Sequence, residues 1–260
     1  YDKLALESES IKYAILHEPK LMREVLNNEL LKDSLPLFSK IDEIIETSIN
    51  EEKALVDGLA LIKKQMDDLL IKRGRSIEEL KAFDSKTALK ELEVNKELPQ
   101  ENLEKIQAIL EKTPEVQEER VKLLLSQVND LQKSLTRKLE DTAQFGNESL
   151  IKEFLDILKT LKMAQKNAGT SESFKTKITS FIEEYNHFLK QNGVDEISPK
   201  IGDKIDLDIH EGAFPLPLDL AKQYFPQIEK LEAGMIIEIQ SAGYSYHGRT
   251  LIPAQVGVVQ

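Results

Sequence analysis

The sequence predicts an α+β protein with a long paired-helix stem, a dimeric four-helix bundle and a small C-terminal all-β domain. Apolar residues recur at spacings of three and four over most of residues 1–198, which indicates helices. Residues 199–260 instead contain short runs of alternating apolar and polar residues between glycines and prolines, which indicates strands. Aromatic residues make up only 6% of the chain and Trp is absent, a composition that suits paired helices better than one thick core.

Composition also limits the function. A net charge of −11 argues against a general nucleic-acid binder or a binder of anionic membranes, because both need a basic surface. The absence of Cys excludes thiol catalysis, thiolate zinc sites and iron–sulfur clusters. No apolar run approaches the roughly 18–20 residues of a membrane-spanning helix. We therefore expect a soluble cytoplasmic protein without nucleic-acid or membrane partners.

Residues 1–112 are predicted to form an additional helical region of unknown role, built from short helices. Prolines are tolerated in a first helical turn, so Pro19 and Pro36 each predict a helix start. Asn50 is a candidate N-cap, and Leu98-Pro99 predicts a further interruption. These helices could close on one another as a small bundle or pack on a partner chain, and the pattern favours the bundle.

Helix boundaries inside that region are also marked by Gly74, a candidate C-terminal cap, and by Ser76 with Glu79. The last two form the Ser-x-x-Glu capping box of a following helix.

Residues 113–146 are predicted to form one long dimerising helix that opens at Thr113-Pro114 and breaks at Gly146. Its narrow apolar stripe consists of Val121, Leu124, Val128, Leu131, Leu135 and Leu139. Burial of one Leu contributes about 1.5–3 kcal/mol, so the stripe needs a partner, and we expect a second copy of the chain. The alternative is that this helix packs on residues 1–112 of its own chain.

Residues 147–198 are predicted to supply two bundle helices, one near 149–167 and the next closed by Asn192-Gly193. Their apolar stripes are broad, as in four-helix bundles. Two helices are half of such a bundle, and we expect a second copy to complete it. The expected contact residues on the first helix are Phe154, Leu158 and Leu161.

The β domain is predicted over residues 199–260. The expected elements are a strand with Ile205, Leu207 and Ile209 on one face, a short helix at Asp219–Tyr224, a strand at Met235–Ile239 and a last strand from Thr250 to Val259.

Little in the chain points to catalysis. Asp206, Asp208 and His210 would share one strand face, and such a trio could ligate a metal, but we interpret it as the solvated face of an amphipathic strand. Nucleophile-elbow, phosphate-loop and His-Glu-x-x-His motifs are absent. We expect no catalytic residue, metal or cofactor, and an enzyme that uses His210 is the rival interpretation.

A more specific signal is the C-terminal string from Gly243 to Val258, in which Arg249 lies between Gly248 and Thr250. Arg is enriched among interface hot spots. A surface Arg paired with a nearby carboxylate explains the residue equally well from composition alone.

The string resembles the closing motif of the GrpE family, nucleotide exchange factors of DnaK-type chaperones, which runs Gly-Tyr-x-x-x-Gly-Arg-x-x-Arg-Pro-Ala-x-Val-x-Val. The Gly202-Asp203-Lys204-Ile205-Asp206 segment and His210-Glu211 resemble two further family elements. The order of long helix, bundle helices and β domain is also similar, so the resemblance covers about residues 114–260.

The resemblance implies a homodimer that binds the nucleotide-binding domain of a DnaK-type chaperone and promotes ADP release, in protein folding and the heat-stress response. The partner-binding residues it implies are Arg249, Gly248, Gln240, Pro253, Val258 and Lys133. A coiled-coil adaptor or scaffold whose β domain binds another client is the alternative.

The sequence departs from the family pattern at several positions. Ile252 stands where the family usually has a basic residue, and Gly212 where it usually has Ala. The Leu-Pro that is common in the first bundle helix of the family is Leu155-Asp156 here. These departures predict a divergent member with an altered contact surface.

Overall fold

The computed structural model describes residues 2–48, 53–88, 115–167, 171–226, 228 and 231–260. Its α+β architecture confirms the predicted fold class, with helices first and two small sheets after them. Asn50, Leu98-Pro99 and Thr113-Pro114 lie outside the described residues, so the predictions made for them stay predictions. The chain divides into two compact units: Tyr1–Leu35 with Asp68–Asn147, and Pro36–Asp67 with Glu148–Gln260.

Seven helices of the described residues carry the labels used below. They are α1 (Asp2–Thr47), α2 (Lys53–Ile71), α3 (Ile77–Ala82), α4 (Glu115–Phe145), α5 (Glu148–Lys166), α6 (Glu172–Gln191) and α7 (Leu218–Tyr224).

The prediction of separate helices starting at Pro19 and Pro36 was wrong, because α1 is continuous through both prolines. Proline inside a helix costs about 3 kcal/mol, since it removes a hydrogen bond and crowds the preceding turn. Beside Pro36 that cost is offset by the burial of Leu37 and Phe38, each at most 4% exposed, at about 1.5–3 kcal/mol per side chain. Local proline rules do not include this long-range packing.

Several local signals are confirmed. Ser76 and Glu79 form the predicted capping box at the start of α3. Gly74 and Gly193 follow α2 and α6 with φ of +59° and +78°, in the left-handed region that favours glycine. α4 ends at Phe145, directly before Gly146, and α5 and α6 cover the two predicted bundle helices.

Six strands form two three-stranded sheets in the described C-terminal region. They are β1 (Val194–Ile197), β2 (His210–Leu216), β3 (Ile236–Ser241), β4 (Gly243–Tyr246), β5 (Arg249–Ile252) and β6 (Ala254–Val259). The first sheet has the order β1-β4-β5 and is antiparallel. The second has the order β2-β6-β3, with β2 parallel and β3 antiparallel to β6.

The strand assignments were partly right. β3 and the short helix α7 lie where the sequence predicted them. The strand predicted over Ile205–Ile209 was wrong, because this segment is a turn region that ends as β2 begins. The predicted last strand is two strands, β5 and β6, separated at Pro253, which has no N–H to donate to a sheet. No sequence pattern predicted β1, which precedes residue 199 and pairs with β4.

The second unit has a helical core and a separate core in the β region. In the helical core, Phe154, Phe181, Tyr185 and Phe188 pack edge to face, with ring centroids 5.2 to 6.4 Å apart. The β-region core forms where α7 covers the second sheet, around Ala221, Ile237 and Val259. We refer to residues 194–260 as the head.

Tyr185 is the most informative residue for testing the helical core. It is fully buried, and its hydroxyl donates a hydrogen bond to the Phe154 carbonyl at 3.0 Å. Burial raises the pKa of Tyr185 well above its ordinary value, so the hydroxyl stays protonated.

We expect Tyr185→Phe to lower the free energy of unfolding by about 1 kcal/mol, because one buried hydrogen bond is lost while the ring is kept. Urea denaturation followed by circular dichroism measures it. The matched control is Tyr224→Phe, since Tyr224 is 65% exposed and its replacement should change nothing. Equal stability of the two variants would contradict the assigned role of this hydrogen bond.

Candidate partner-binding site

The candidate site is built on the tight turn between β4 and β5. Tyr246 pairs with Arg249 across the hairpin, so His247 and Gly248 alone form the loop. Both have positive φ, +48° and +79°, as a two-residue type I′ turn requires. Gly248 adopts this conformation without steric cost, and His is among the residues that tolerate it. The turn therefore fixes the position of Arg249, the first residue of β5.

The turn is anchored to the end of α6. The His247 backbone N–H donates to the Gly193 carbonyl at 2.8 Å. A Cβ on Gly193 would lie 2.4 Å from the His247 ring, so the close contact needs glycine at that position. The position of the hairpin thus depends on the last turn of α6.

Arg249 is exposed, and its guanidinium pairs with Glu148, the first residue of α5. Glu148 also accepts a hydrogen bond from Lys152 at 2.8 Å. The Lys152 hydrogen bond and the charges of Lys152 and Arg249 hold the pKa of Glu148 below its ordinary value of 4.5, against a smaller opposing effect of burial. Exposed ion pairs contribute at most about 1 kcal/mol, so a partner's carboxylate could replace Glu148 at little cost.

A second polar link joins α5 to the first sheet. Lys162 Nζ donates to Glu196 at 3.0 Å and to the Tyr244 hydroxyl at 2.9 Å. Burial is the largest single effect and lowers the pKa of Lys162, but the hydrogen bonds and the charge interactions with Tyr244 and Glu196 together raise it above its ordinary value. Sequence analysis missed Glu148, Lys162 and Glu196, because no local pattern reports partners that lie up to 101 residues away.

The other predicted contact residues are spread over the head. Gln240, on β3, is exposed where the β3–β6 register shifts, and half-buried Val258 lies on β6. Both belong to the second sheet, whereas Arg249 belongs to the first. Pro253 connects the two sheets between β5 and β6. The predicted residues of the head thus lie on both sheets and on the segment that joins them.

Lys133, the remaining predicted contact, is exposed on α4 in the first unit.

Ile252, the departure from the family motif, is half-buried and pairs with Tyr244 across β4 and β5. Gly243, at the start of β4, meets the segment after Ile252 at close range: a Cβ there would lie 2.4 Å from the Ala254 nitrogen. The packing of this corner therefore requires glycine at 243 and accommodates an aliphatic side chain at 252.

The Asp206, Asp208 and His210 trio has a structural role. His210 is 7% exposed, and its Nδ1 accepts a hydrogen bond from the Asp206 backbone N–H at 3.1 Å. Asp206 in turn accepts from the Asp208 backbone N–H at 2.9 Å. Among the described residues, no three His, Cys, Asp or Glu side chains come together as a metal site would need.

A family model described as GrpE matches residues 86–260 of the chain. The chain belongs to the GrpE family. The chain is similar to the sequences named Protein GrpE from Cereibacter sphaeroides (27% identity over 141 residues) and Dichelobacter nodosus (27% identity over 132 residues). A third, from Francisella tularensis, is 26% identical over 138 residues. These matches cover 52%, 49% and 52% of this chain and 72%, 65% and 65% of the respective relatives.

The GrpE match confirms the resemblance and leaves out α1, α2 and α3, which lie before residue 86. Within the part of the chain that the structure describes, no helix combines the length and apolarity needed to cross a membrane.

The residues predicted for a GrpE-like dimer interface are largely covered within one chain. Phe154, Leu158 and Leu161 are 0% exposed, Val128 is 1% and Leu135 is 7% exposed. Leu124 and Leu131 are half-buried, and the side chain of Val121 lies outside the described residues. Five of the eight residues that were expected to contact a second copy are thus already buried within a single chain.

We expect acidification to separate Arg249 from Glu148. Because the pKa of Glu148 is lowered in the fold, the pair stabilises the protein above pH 4.5 and is lost as the pH falls through the lowered pKa. The measurement is the Arg249 side-chain Nε resonance in an NMR pH titration. Glu148→Gln is the control and should remove the transition. An identical transition in the control would assign the titration to another group.

Proposed function

We propose that this GrpE family member is a nucleotide exchange factor whose head binds the nucleotide-binding domain of a DnaK-type chaperone and promotes ADP release. Family membership supports the proposal, and the observation that carries it is the presentation of Arg249. A two-residue turn that is hydrogen-bonded to Gly193 precedes Arg249, whose exposed side chain lies at the start of the edge strand β5. Arg in such a position is suited to bind a carboxylate of a partner.

Exchange of this kind needs differential binding and no catalytic residue. A factor that shifts a partner from 1:99 to 99:1 in favour of its open state must bind that state about 5.5 kcal/mol more tightly. Gln240, Gly248, Pro253 and Val258 in the head, and Lys133 on the long helix, are proposed to share the contact with Arg249. The cytoplasmic location and the absence of nucleic-acid and membrane partners stay predictions from composition.

We expect Arg249→Ala to weaken chaperone binding by about 2 kcal/mol or more, roughly 30-fold, because a central interface Arg is lost. Isothermal titration calorimetry against the isolated nucleotide-binding domain measures it. Lys222→Ala is the matched control, since it removes a positive charge from the exposed side of α7 in the same head. Equal losses in both variants would show that net charge, and not Arg249, determines binding.

We also expect ADP to weaken binding of this protein by the same factor by which the protein weakens ADP binding, because coupling between two sites is reciprocal. Titrations with and without ADP, and release of a fluorescent ADP analogue, measure the two factors. An affinity that is the same with and without ADP would favour the alternative function, a coiled-coil adaptor. The binding of a client by such an adaptor is not coupled to nucleotide.

A further inference from the structure

The N-terminal helices repeat the buried pattern of the bundle helices. In α2 the buried residues are Leu55, Leu59, Ile62, Met66, Leu69 and Leu70, and in α6 they include Phe174, Ile178, Phe181, Tyr185, Phe188 and Leu189. The two series have identical spacings at a constant shift of 119 residues, as from Leu55 to Phe174. The same shift relates Gly74 to Gly193, the left-handed glycines that follow the two helices. Lys63 stands where α6 has buried Ile182.

The second half of α1 repeats α5 in the same way. Six of its buried residues correspond to buried residues of α5 at a shift of 120: Leu30, Leu31, Ser34, Leu37, Phe38 and Ile41 to Leu150, Ile151, Phe154, Ile157, Leu158 and Leu161. The match is incomplete, since buried Asn28 and Ile44 correspond to half-buried residues of α5 and buried Leu155 corresponds to half-buried Leu35. The same shift places Leu35-Pro36 at Leu155-Asp156. The Leu-Pro that α5 lacks relative to its family is therefore present in the first repeat.

The two repeats pack in one compact unit. Pro36–Asp67 and Glu148–Gln260 form it together, so the end of α1, most of α2, α5 and α6 are four helices of the same body. Lys177 on α6 donates to the Thr47 carbonyl at 2.9 Å and lies 3.4 Å from the Ser48 hydroxyl. Lys63 on α2 pairs with Asp42 on α1 at 3.4 Å. These contacts tie the N-terminal pair both to itself and to α6.

The first unit shows a similar pairing for the long helix. A Cβ on Gly146, at the end of α4, would lie 2.9 Å from Leu26 Cδ1 on α1. Val128, Leu135 and Leu139 of α4 are at most 9% exposed there. These three residues of the α4 stripe are thus covered within the same chain, and α1 lies beside the C-terminal end of α4.

We infer that α1 and α2 are an internal repeat of the bundle helices that takes the place of a second subunit, so that the protein is a monomer with a one-chain four-helix bundle and a single head. The free energy of burying Phe154, Leu158 and Leu161, about 1.5–3 kcal/mol each, is already gained within the chain. A covalently linked partner also acts at an effective concentration of about millimolar, which favours it over a second copy. Among the described residues the repeat has no second head, because α3 follows Gly74 where β1 follows Gly193.

Sedimentation equilibrium of the full chain over a wide concentration range tests the inference directly. We expect the mass of one chain, 29.6 kDa, at every concentration. A species of twice that mass would overturn the inference whether or not the protein exchanges nucleotide, so failure here is distinct from failure of the proposed function.

Cross-linking shows whether α1 contacts α6 of its own chain or α6 of a second chain. Because the chain has no Cys, Thr47→Cys with Lys177→Cys introduces the only thiols, and both positions are accessible to solvent. A short bismaleimide should join them within one chain and leave the mass of a monomer. The control mixes the two single variants and should give no cross-linked product. Efficient cross-linking in that mixture would show that the N-terminal helices are exchanged between copies, and would overturn the inference.

Discussion

The structure of the second unit depends on burial of the apolar faces of α5 and α6. Their side chains form a helical core in which Phe154, Phe181 and Tyr185 are fully buried. Polar contacts of the Glu148 carboxylate, the Lys162 ammonium and the Gly193 carbonyl join the head to these two helices. The first two are polar surface contacts of small energy, so the packed helices supply the rigidity that positions Arg249.

The features that could be predicted from the sequence are those that depend on residues close together in the chain. The capping box at Ser76, the left-handed Gly74 and Gly193, and the break of the long helix at Gly146 each involve residues within one turn of chain. The closing motif with Arg249 was also readable, because its glycines and charge lie in a short run. This motif is specific enough to indicate the family without any structural information.

What failed depends on contacts between distant residues. The continuity of α1 through Pro36 rests on burial along its length, and the Ile205–Ile209 alternation resembles a strand although the segment turns to meet β2. An apolar stripe indicates that a helix packs against another helix. It does not indicate whether that helix belongs to the same chain or to a second copy. The relation between the N-terminal helices and α5–α6 became visible only when burial was known position by position, since the two repeats share few identical residues.

The contact between His247 and Gly193 has a mechanical consequence. The turn before Arg249 is hydrogen-bonded to the carbonyl of Gly193, two residues after α6, so a small rotation of that helix would displace the Arg249 guanidinium. Looser packing among the helices would then change how the arginine is aimed, with no alteration in the head. Mild warming or a distant core substitution could in this way adjust the affinity for a partner.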